Sequence, residues 1–214
     1  MPISGLYAIT PQCADTAALL DKVRKALKGG TRLVQYRDKT NDVALRFEQA
    51  SELRALCREF GVALIVNDDL RLAALSNADG VHLGREDGSL LEARLILGPD
   101  KIIGVSCYND LQSAIAAQQA GADYIAFGSF FASTTKPDAV PAPLDLLRQA
   151  RHQLNIPIVA IGGITLANAP SLLAAGADAL AVISAVFDSP DIRAAARGFS
   201  ELFTEFAAEA APTH

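Results

Sequence analysis

The chain lacks an excess of positive charge: 19 Lys and Arg stand against 24 Asp and Glu, for a formal net charge of −5. Nucleic acids and anionic membranes need a basic face, because their phosphates are met by Lys and Arg. Neither partner is expected, and a small molecule is. Cysteine is scarce as well, with Cys13, Cys57 and Cys107 widely spaced and outside any CxxC. An odd, scattered set argues against a disulfide framework or a zinc site and predicts three structural thiols in a reducing compartment. No apolar run approaches the roughly 20 residues that span a bilayer. The opening MPISGLYAIT has neither a basic nor an apolar targeting region, so the expected localisation is cytoplasmic. The three histidines form no HxxxH pair and no Ser-His-Asp set. His82 reads as a packing residue within a strand, and His152 as a residue near a helix end.

Half of the 214 residues are apolar, enough to bury one sizeable core. They gather in eight short runs rich in Val, Ile and Leu, at 5–10, 33–38, 63–68, 80–83, 102–107, 124–129, 157–162 and 179–184. Between the runs, amphipathic segments such as DTAALLDKVRKAL and ALRFEQASELRALCREF repeat at helical spacing. Strands with few polar alternations suit a parallel sheet covered by helices on both faces. Eight such units predict an α/β chain folded as a single (β/α)8 TIM barrel over residues 1–214, rather than an open doubly wound sheet. A weak internal repeat agrees: Asn77-Ala-Asp79-Gly, Ala120-Gly-Ala-Asp123 and Ala175-Gly-Ala-Asp178 each join a helix end to a strand start. Their aspartates lie at the N-terminal ends of strands and are assigned to stability rather than chemistry.

Active sites of this fold form at the C-terminal ends of the strands, and here those ends are polar. The second run closes on Gln35-Tyr36-Arg37-Asp38-Lys39, where strand alternation puts Gln35, Arg37 and Lys39 on one side. Two inward cations are costly to desolvate without anions. They therefore pair with internal carboxylates, sit on an exposed extension, or meet an anionic ligand. Asn67-Asp68-Asp69 closes the third run, and Gly84-Arg85-Glu86-Asp87-Gly88 follows the fourth. Carboxylates from two neighbouring strand ends suit a shared Mg²⁺, whereas Asp69 reads as a helix cap and Glu86 as solvent-facing. Ser106 offers a hydroxyl for either a local turn bond or a polar ligand. Gly162-Gly163 and Ile183-Ser184 end the seventh and eighth runs, where this fold recurrently binds phosphate. After the sixth run, FFASTTKPDAVPAP (130–143) gathers three adjacent hydroxyls, one lysine and three prolines. The prolines limit the freedom that such a loop would lose on ordering over a ligand.

Taken together and in order, residues 35–39 (QYRDK), 67–68 (ND), 80–87 (GVHLGRED), 104–106 (GVS), Gly128 with 133–136 (STTK), 161–164 (IGGI) and 182–184 (VIS) resemble the thiamine phosphate synthase family, also called thiamine-phosphate pyrophosphorylase. The resemblance implies a transferase of thiamine biosynthesis. It would join 4-amino-5-hydroxymethyl-2-methylpyrimidine diphosphate to 4-methyl-5-(2-phosphoethyl)thiazole, or its 2-carboxy form, with release of pyrophosphate. By matching position, Gln35, Tyr36, Arg37, Asp38, Lys39, Asn67, Ser106 and Lys136 would contact the pyrimidine diphosphate, with Lys136, Arg37 and Ser106 as the catalytic set. Asp68 and Asp87 would hold Mg²⁺. Ser133, Thr134, Thr135, Gly163, Ile183 and Ser184 would hold the thiazole phosphate. Two positions depart from the family pattern: Tyr36 replaces the usual aliphatic residue, its ring expected to face the helix layer, and Ser133 replaces a frequent threonine. Three other readings stand beside this one: a thiazole tautomerase of the same family, a Schiff-base aldolase using Lys39 or Lys136, and a non-catalytic binder of phosphate ligands. The expected partners are small phosphorylated substrates, and the sequence leaves a homodimer open.

Overall fold

The computed structural model describes residues 3–132 and 141–209. Eight parallel strands close on themselves: β1 (Gly5–Ile9), β2 (Leu33–Tyr36), β3 (Ala63–Asn67), β4 (Gly80–Leu83), β5 (Ile102–Tyr108), β6 (Tyr124–Phe127), β7 (Ile158–Ile161) and β8 (Ala179–Val182). Helices alternate with them: α1 (Thr16–Lys28), α2 (Val43–Glu59), α3 (Leu70–Leu75), α4 (Leu90–Leu97), α5 (Leu111–Gln119), α6 (Leu144–Gln153), α7 (Ala169–Ala174), α8 (Ser184–Phe187) and α9 (Ile192–Glu209). The expected (β/α)8 barrel is the observed fold, closed by the pairing of β1 with β8.

Six described helices begin at a side-chain cap, α9 at Asp191, which accepts the Ala194 N–H, and five others on the rim. Asp15, Asp42, Asp69, Ser89 and Asp110 accept the otherwise unsatisfied N–H groups of Ala18, Leu45, Leu72, Glu92 and Ser113. These starts follow the C-terminal ends of the strands, so the caps fix the rim that surrounds the site. Asp69 is thus the cap its position predicted, and it also pairs with Arg46 at 2.8 Å.

The strands divide their side chains between two cores. Outward residues such as Leu6, Val34, Leu64, Val81, Ile103 and Leu180 pack against the helices. Inward residues fill the barrel, with Tyr7, Leu33, Ile65, Tyr124 and Val159 set among Ala63, Ala126, Ala179 and Ala181. The small residues are a packing requirement: a Cβ on Gly104 would lie 2.0 Å from Cζ of Tyr124, so β5 gives up a side chain to admit that ring.

At the opposite end of the barrel, three aspartates repeat one arrangement. Asp79, Asp123 and Asp178 accept the N–H groups of Leu64, Ile103 and Ile158 at 2.8, 2.7 and 2.8 Å. Each also pairs with an arginine of an earlier helix: Arg54 of α2, Arg94 of α4 and Arg151 of α6. Their backbone N–H groups reach the carbonyls of the same three strand residues. Arg32 makes the equivalent backbone bond to Leu6 in the remaining quarter. The internal repeat therefore has four places, three of which carry the aspartate clamp. All three cysteines are free. Burial pushes the thiols of Cys57 and Cys107 up to about 12, as structural, unreactive groups require.

Candidate active site

At the C-terminal ends of β2 to β5 the barrel opens into a cavity of about 420 Å³. A separate cavity of about 310 Å³, lined by Lys25 and residues 189–193, contains no strand-end residue. The larger one brings together Arg37, Lys39, Asn67, Asp68, Asp87 and Ser106, six of the residues singled out from the sequence.

Arg37 leaves β2 on a fixed backbone. Thr10, buried after β1, accepts the Arg37 N–H through Oγ1 at 3.0 Å. Among the described residues, neither Arg37 nor Lys39 has a carboxylate partner within 4.0 Å. No short ion pair among the described residues accounts for these cations, although the charge of Lys39 acts on the Asp68 carboxylate. Two neighbours of Arg37 turn their side chains elsewhere, the Tyr36 ring toward the helix layer as expected. Tyr36 Oη donates to Gln49 Oε1 of α2 at 2.9 Å, and Asp38 Oδ1 accepts from the N–H and hydroxyl of Thr40. Neither lines the cavity, so any ligand contact there would be through backbone. Strand alternation decides this: Tyr36 lies between two inward residues and must point outward.

The acidic side of the cavity is built from two loops. Asp68 follows β3 in a left-handed conformation, φ 64°, its N–H held by His82 O at 2.9 Å. Asp87 turns back so that Oδ2 accepts the Gly84 N–H at 2.7 Å, and a Cβ on Gly84 would stand 2.6 Å from that oxygen. Both carboxylates line the cavity, close enough for Asp87 to act on Asp68. Burial and then the Asp87 carboxylate raise the Asp68 pKa to about 6, against the opposing charge of Lys39. Converging carboxylates with oxygen ligands only are suited to a hard divalent cation. Among the described residues no cluster of three or more His, Cys, Asp or Glu exists. Two carboxylates would therefore leave most of such an ion's shell to water and phosphate oxygens.

The floor of the cavity is a hydrogen-bonded chain running down into the barrel. Ser106 Oγ lies 2.8 Å from His82 Nε2, and His82 Nδ1 lies 3.0 Å from Tyr124 Oη. Tyr124 Oη meets Tyr7 Oη at 2.8 Å, which accepts from Gln35 Nε2 at 2.9 Å. Gln35 therefore faces inward as expected, but below the cavity. His82 is buried as expected, yet it supports Ser106 rather than filling space alone.

The β7 exit receives the start of the 130–143 loop. Ile161 O and Gly162 O accept from Phe130 N and Phe131 N at 3.1 Å each, and Ser129 O accepts Ala142 N at 2.7 Å. Gly163 has φ 60°, and a Cβ there would lie 2.3 Å from Ala132 O. Only glycine permits that approach without displacement. Asn168 holds the turn by donating from Nδ2 to Gly163 O at 3.0 Å. Ile183 immediately precedes α8 and Ser184 begins it, exposed where the first helical N–H groups lack intrahelical partners. Ser133, Thr134, Thr135 and Lys136 lie outside the described residues.

Sequence reasoning missed Arg85 and Tyr108, both of which line the cavity; the Arg85 guanidinium carbon sits 5.0 Å from the Tyr108 ring centroid. The available signals were a cation two residues before Asp87 and an aromatic ring two residues after Ser106.

A family model described as Thiamine monophosphate synthase matches residues 6–186. The thiamine-phosphate synthase of Thiobacillus denitrificans is 61% identical over 199 residues, 93% of this chain and 94% of that one. The thiamine-phosphate synthase of Nitrosospira multiformis is 58% identical over 201 residues, 94% of this chain and 86% of that one. Among solved structures, the thiamine phosphate pyrophosphorylase from Pyrococcus furiosus superposes with a TM-score of 0.86 at 38% identity, over 94% of this chain and 96% of that chain.

Proposed function

The chain belongs to the thiamine monophosphate synthase family and is a transferase, and from that premise we propose that it joins 4-amino-5-hydroxymethyl-2-methylpyrimidine diphosphate to 4-methyl-5-(2-phosphoethyl)thiazole or its 2-carboxy form. In this reaction the diphosphate leaves the pyrimidine methylene carbon with the C–O bonding electrons, and the thiazole nitrogen lone pair forms the new C–N bond. The electron-rich aminopyrimidine stabilises the carbocation-like carbon between these events, so no protein nucleophile is needed. From the 2-carboxy form the carboxyl group also departs as CO₂, leaving its C–C bonding electrons on C2 of the thiazolium, where a proton from solvent replaces it. The protein's work is alignment and neutralisation of leaving-group charge.

The observation that carries this reading is the meeting, in one cavity, of the cations Arg37 and Lys39 with the carboxylate pair Asp68 and Asp87. Arg37, Lys39 and Lys136 bind the diphosphate, Asn67 and Ser106 orient the pyrimidine, and Gln35 supports them from below. Asp68 and Asp87 would hold a Mg²⁺, which when bound would supply positive charge toward the diphosphate. Gly163, Ile183 and Ser184, with Ser133, Thr134 and Thr135, hold the thiazole phosphate. Lys39 is exposed rather than enclosed in an apolar pocket, which weakens the aldolase reading for that lysine; Lys136, its other candidate, lies outside the described residues. The relatives at 50–61% identity are named synthases, which favours synthase over tautomerase. We further propose a cytoplasmic homodimer. No described helix is long and apolar enough to cross a membrane, and exposed Leu91, Leu95 and Ile96 give α4 an apolar face that a second copy would cover.

Arg37→Ala tests the site. It is expected to raise KM for the pyrimidine diphosphate about tenfold or more while leaving KM for the thiazole phosphate and the melting temperature unchanged. Steady-state kinetics with each substrate varied would contradict the assignment if both constants matched the wild type.

A further inference from the structure

The chain of side chains beneath the cavity has a direction. A tyrosine hydroxyl carries one hydrogen, and a neutral imidazole carries one N–H. Tyr7 accepts from the Gln35 amide, so its own hydrogen goes to Tyr124. Tyr124, having accepted, donates to His82 Nδ1. An accepting Nδ1 places the ring proton on Nε2, which donates to Ser106 Oγ. Ser106 keeps its own hydrogen for the cavity that it lines.

We propose that Tyr7, Tyr124 and His82 are positioning residues that fix Ser106 as a hydrogen-bond donor toward an acceptor atom of the pyrimidine diphosphate. This rests on the placement of that substrate against Ser106 argued above. The surroundings hold the relay in one arrangement. Tyr124 stacks on His82 at 5.5 Å and 23°, Tyr7 meets Tyr124 edge-on at 6.0 Å and 78°, and Gly104 leaves the space that the Tyr124 ring occupies. Burial raises the pKa of both phenols, which keeps them neutral and their hydrogens in place. A break in the chain would strand polar atoms inside the barrel, a cost that maintains its polarity.

The test uses the full chain labelled with ¹⁵N-histidine, in which only His82, His152 and His214 contribute signals. The His82 signals are identified by their loss in His82→Gln. At pH 7.5 the wild-type ring is expected as the neutral Nε2–H tautomer. An Nδ1–H tautomer or an imidazolium overturns the relay, and this readout decides the matter even if a variant fails to fold. In kinetics, Tyr124→Phe is expected to lower kcat about tenfold and to release the tautomer, Ser106→Ala to lower kcat at least as far, and the double variant to be no slower than Ser106→Ala. Losses that multiply in the double variant overturn the relay, as does Tyr124→Phe with a wild-type rate beside a slow Ser106→Ala. A wild-type rate for Ser106→Ala, with the Nε2–H tautomer retained, instead overturns the placement of substrate against Ser106.

Discussion

Asp68 carries a local cost at the position proposed for metal binding. Its left-handed backbone and its approach to Asp87 are both unfavourable locally, and burial and the neighbouring carboxylate raise its pKa from 3.8 to about 6. The folded state therefore holds this proton more tightly than the unfolded chain does. The contribution to stability is fully present below the ordinary value and is lost as pH rises through about 6. Metal-free protein at pH 8 bears the resulting repulsion. Asp68→Asn removes the charge, and Asn tolerates a left-handed backbone as Asp does. With chelator present, this variant is expected to be more stable than wild type by roughly 1 kcal/mol at pH 8, after allowance for solvent screening, and by little at pH 4. It should also lose its activation by Mg²⁺. Thermal melts at the two pH values check the first outcome and a Mg²⁺ titration of turnover checks the second. At this scale the sequence was informative about polar strand ends and silent about their partners: Asp68 and Asp87 could be named, but the contact with Asp87 that raises the Asp68 pKa depends on a loop turning back through Gly84.

Among elements, the β7 exit most narrowly limits what the chain can carry. Gly163 combines a positive φ with an approach to Ala132 O that leaves no space for a Cβ. Gly163→Ala should push the beginning of the 130–143 loop off its anchor, raising KM for the thiazole phosphate about tenfold while KM for the pyrimidine diphosphate changes little. Equal increases in both constants would show instead that the rim moves as a whole. The eight strands and their helices were legible because buried parallel strands write themselves as unbroken apolar runs and helices as an amphipathic period. Strand ends were less so. The run 33–38 continues two residues past β2, since Arg37 and Asp38 belong to the polar rim rather than to the ladder. Tyr36 and Asp38 were grouped with the ligand contacts by their place in QYRDK, although alternation and the local bonds to Gln49 and Thr40 turn both side chains away.

For the whole molecule, the aspartate clamps and the proposed site occupy opposite ends of the barrel. The clamps of Asp79, Asp123 and Asp178 tie earlier helices to neighbouring strands far from the cavity, as the assignment of these residues to stability expected. Asp79→Ala would leave the Leu64 N–H and Arg54 without their carboxylate, at a cost of about 2 kcal/mol, a fall in melting temperature of roughly 4–8 °C. Turnover of the folded variant should stay near the wild-type value, which calorimetry and an activity assay below the transition would establish. The relay from Gln35 to Ser106 was invisible in the sequence for a reason of the same scale. Its five members come from five strands, and only closure of the barrel brings Tyr7 and Tyr124, 117 positions apart, to 2.8 Å. The central claim is that this barrel couples a pyrimidine diphosphate to a thiazole phosphate. The most direct measurement incubates both substrates with the folded protein and Mg²⁺ and quantifies thiamine phosphate and pyrophosphate together. Equal amounts of the two products, absent when either substrate is omitted, are the predicted result; no thiamine phosphate above background would contradict it.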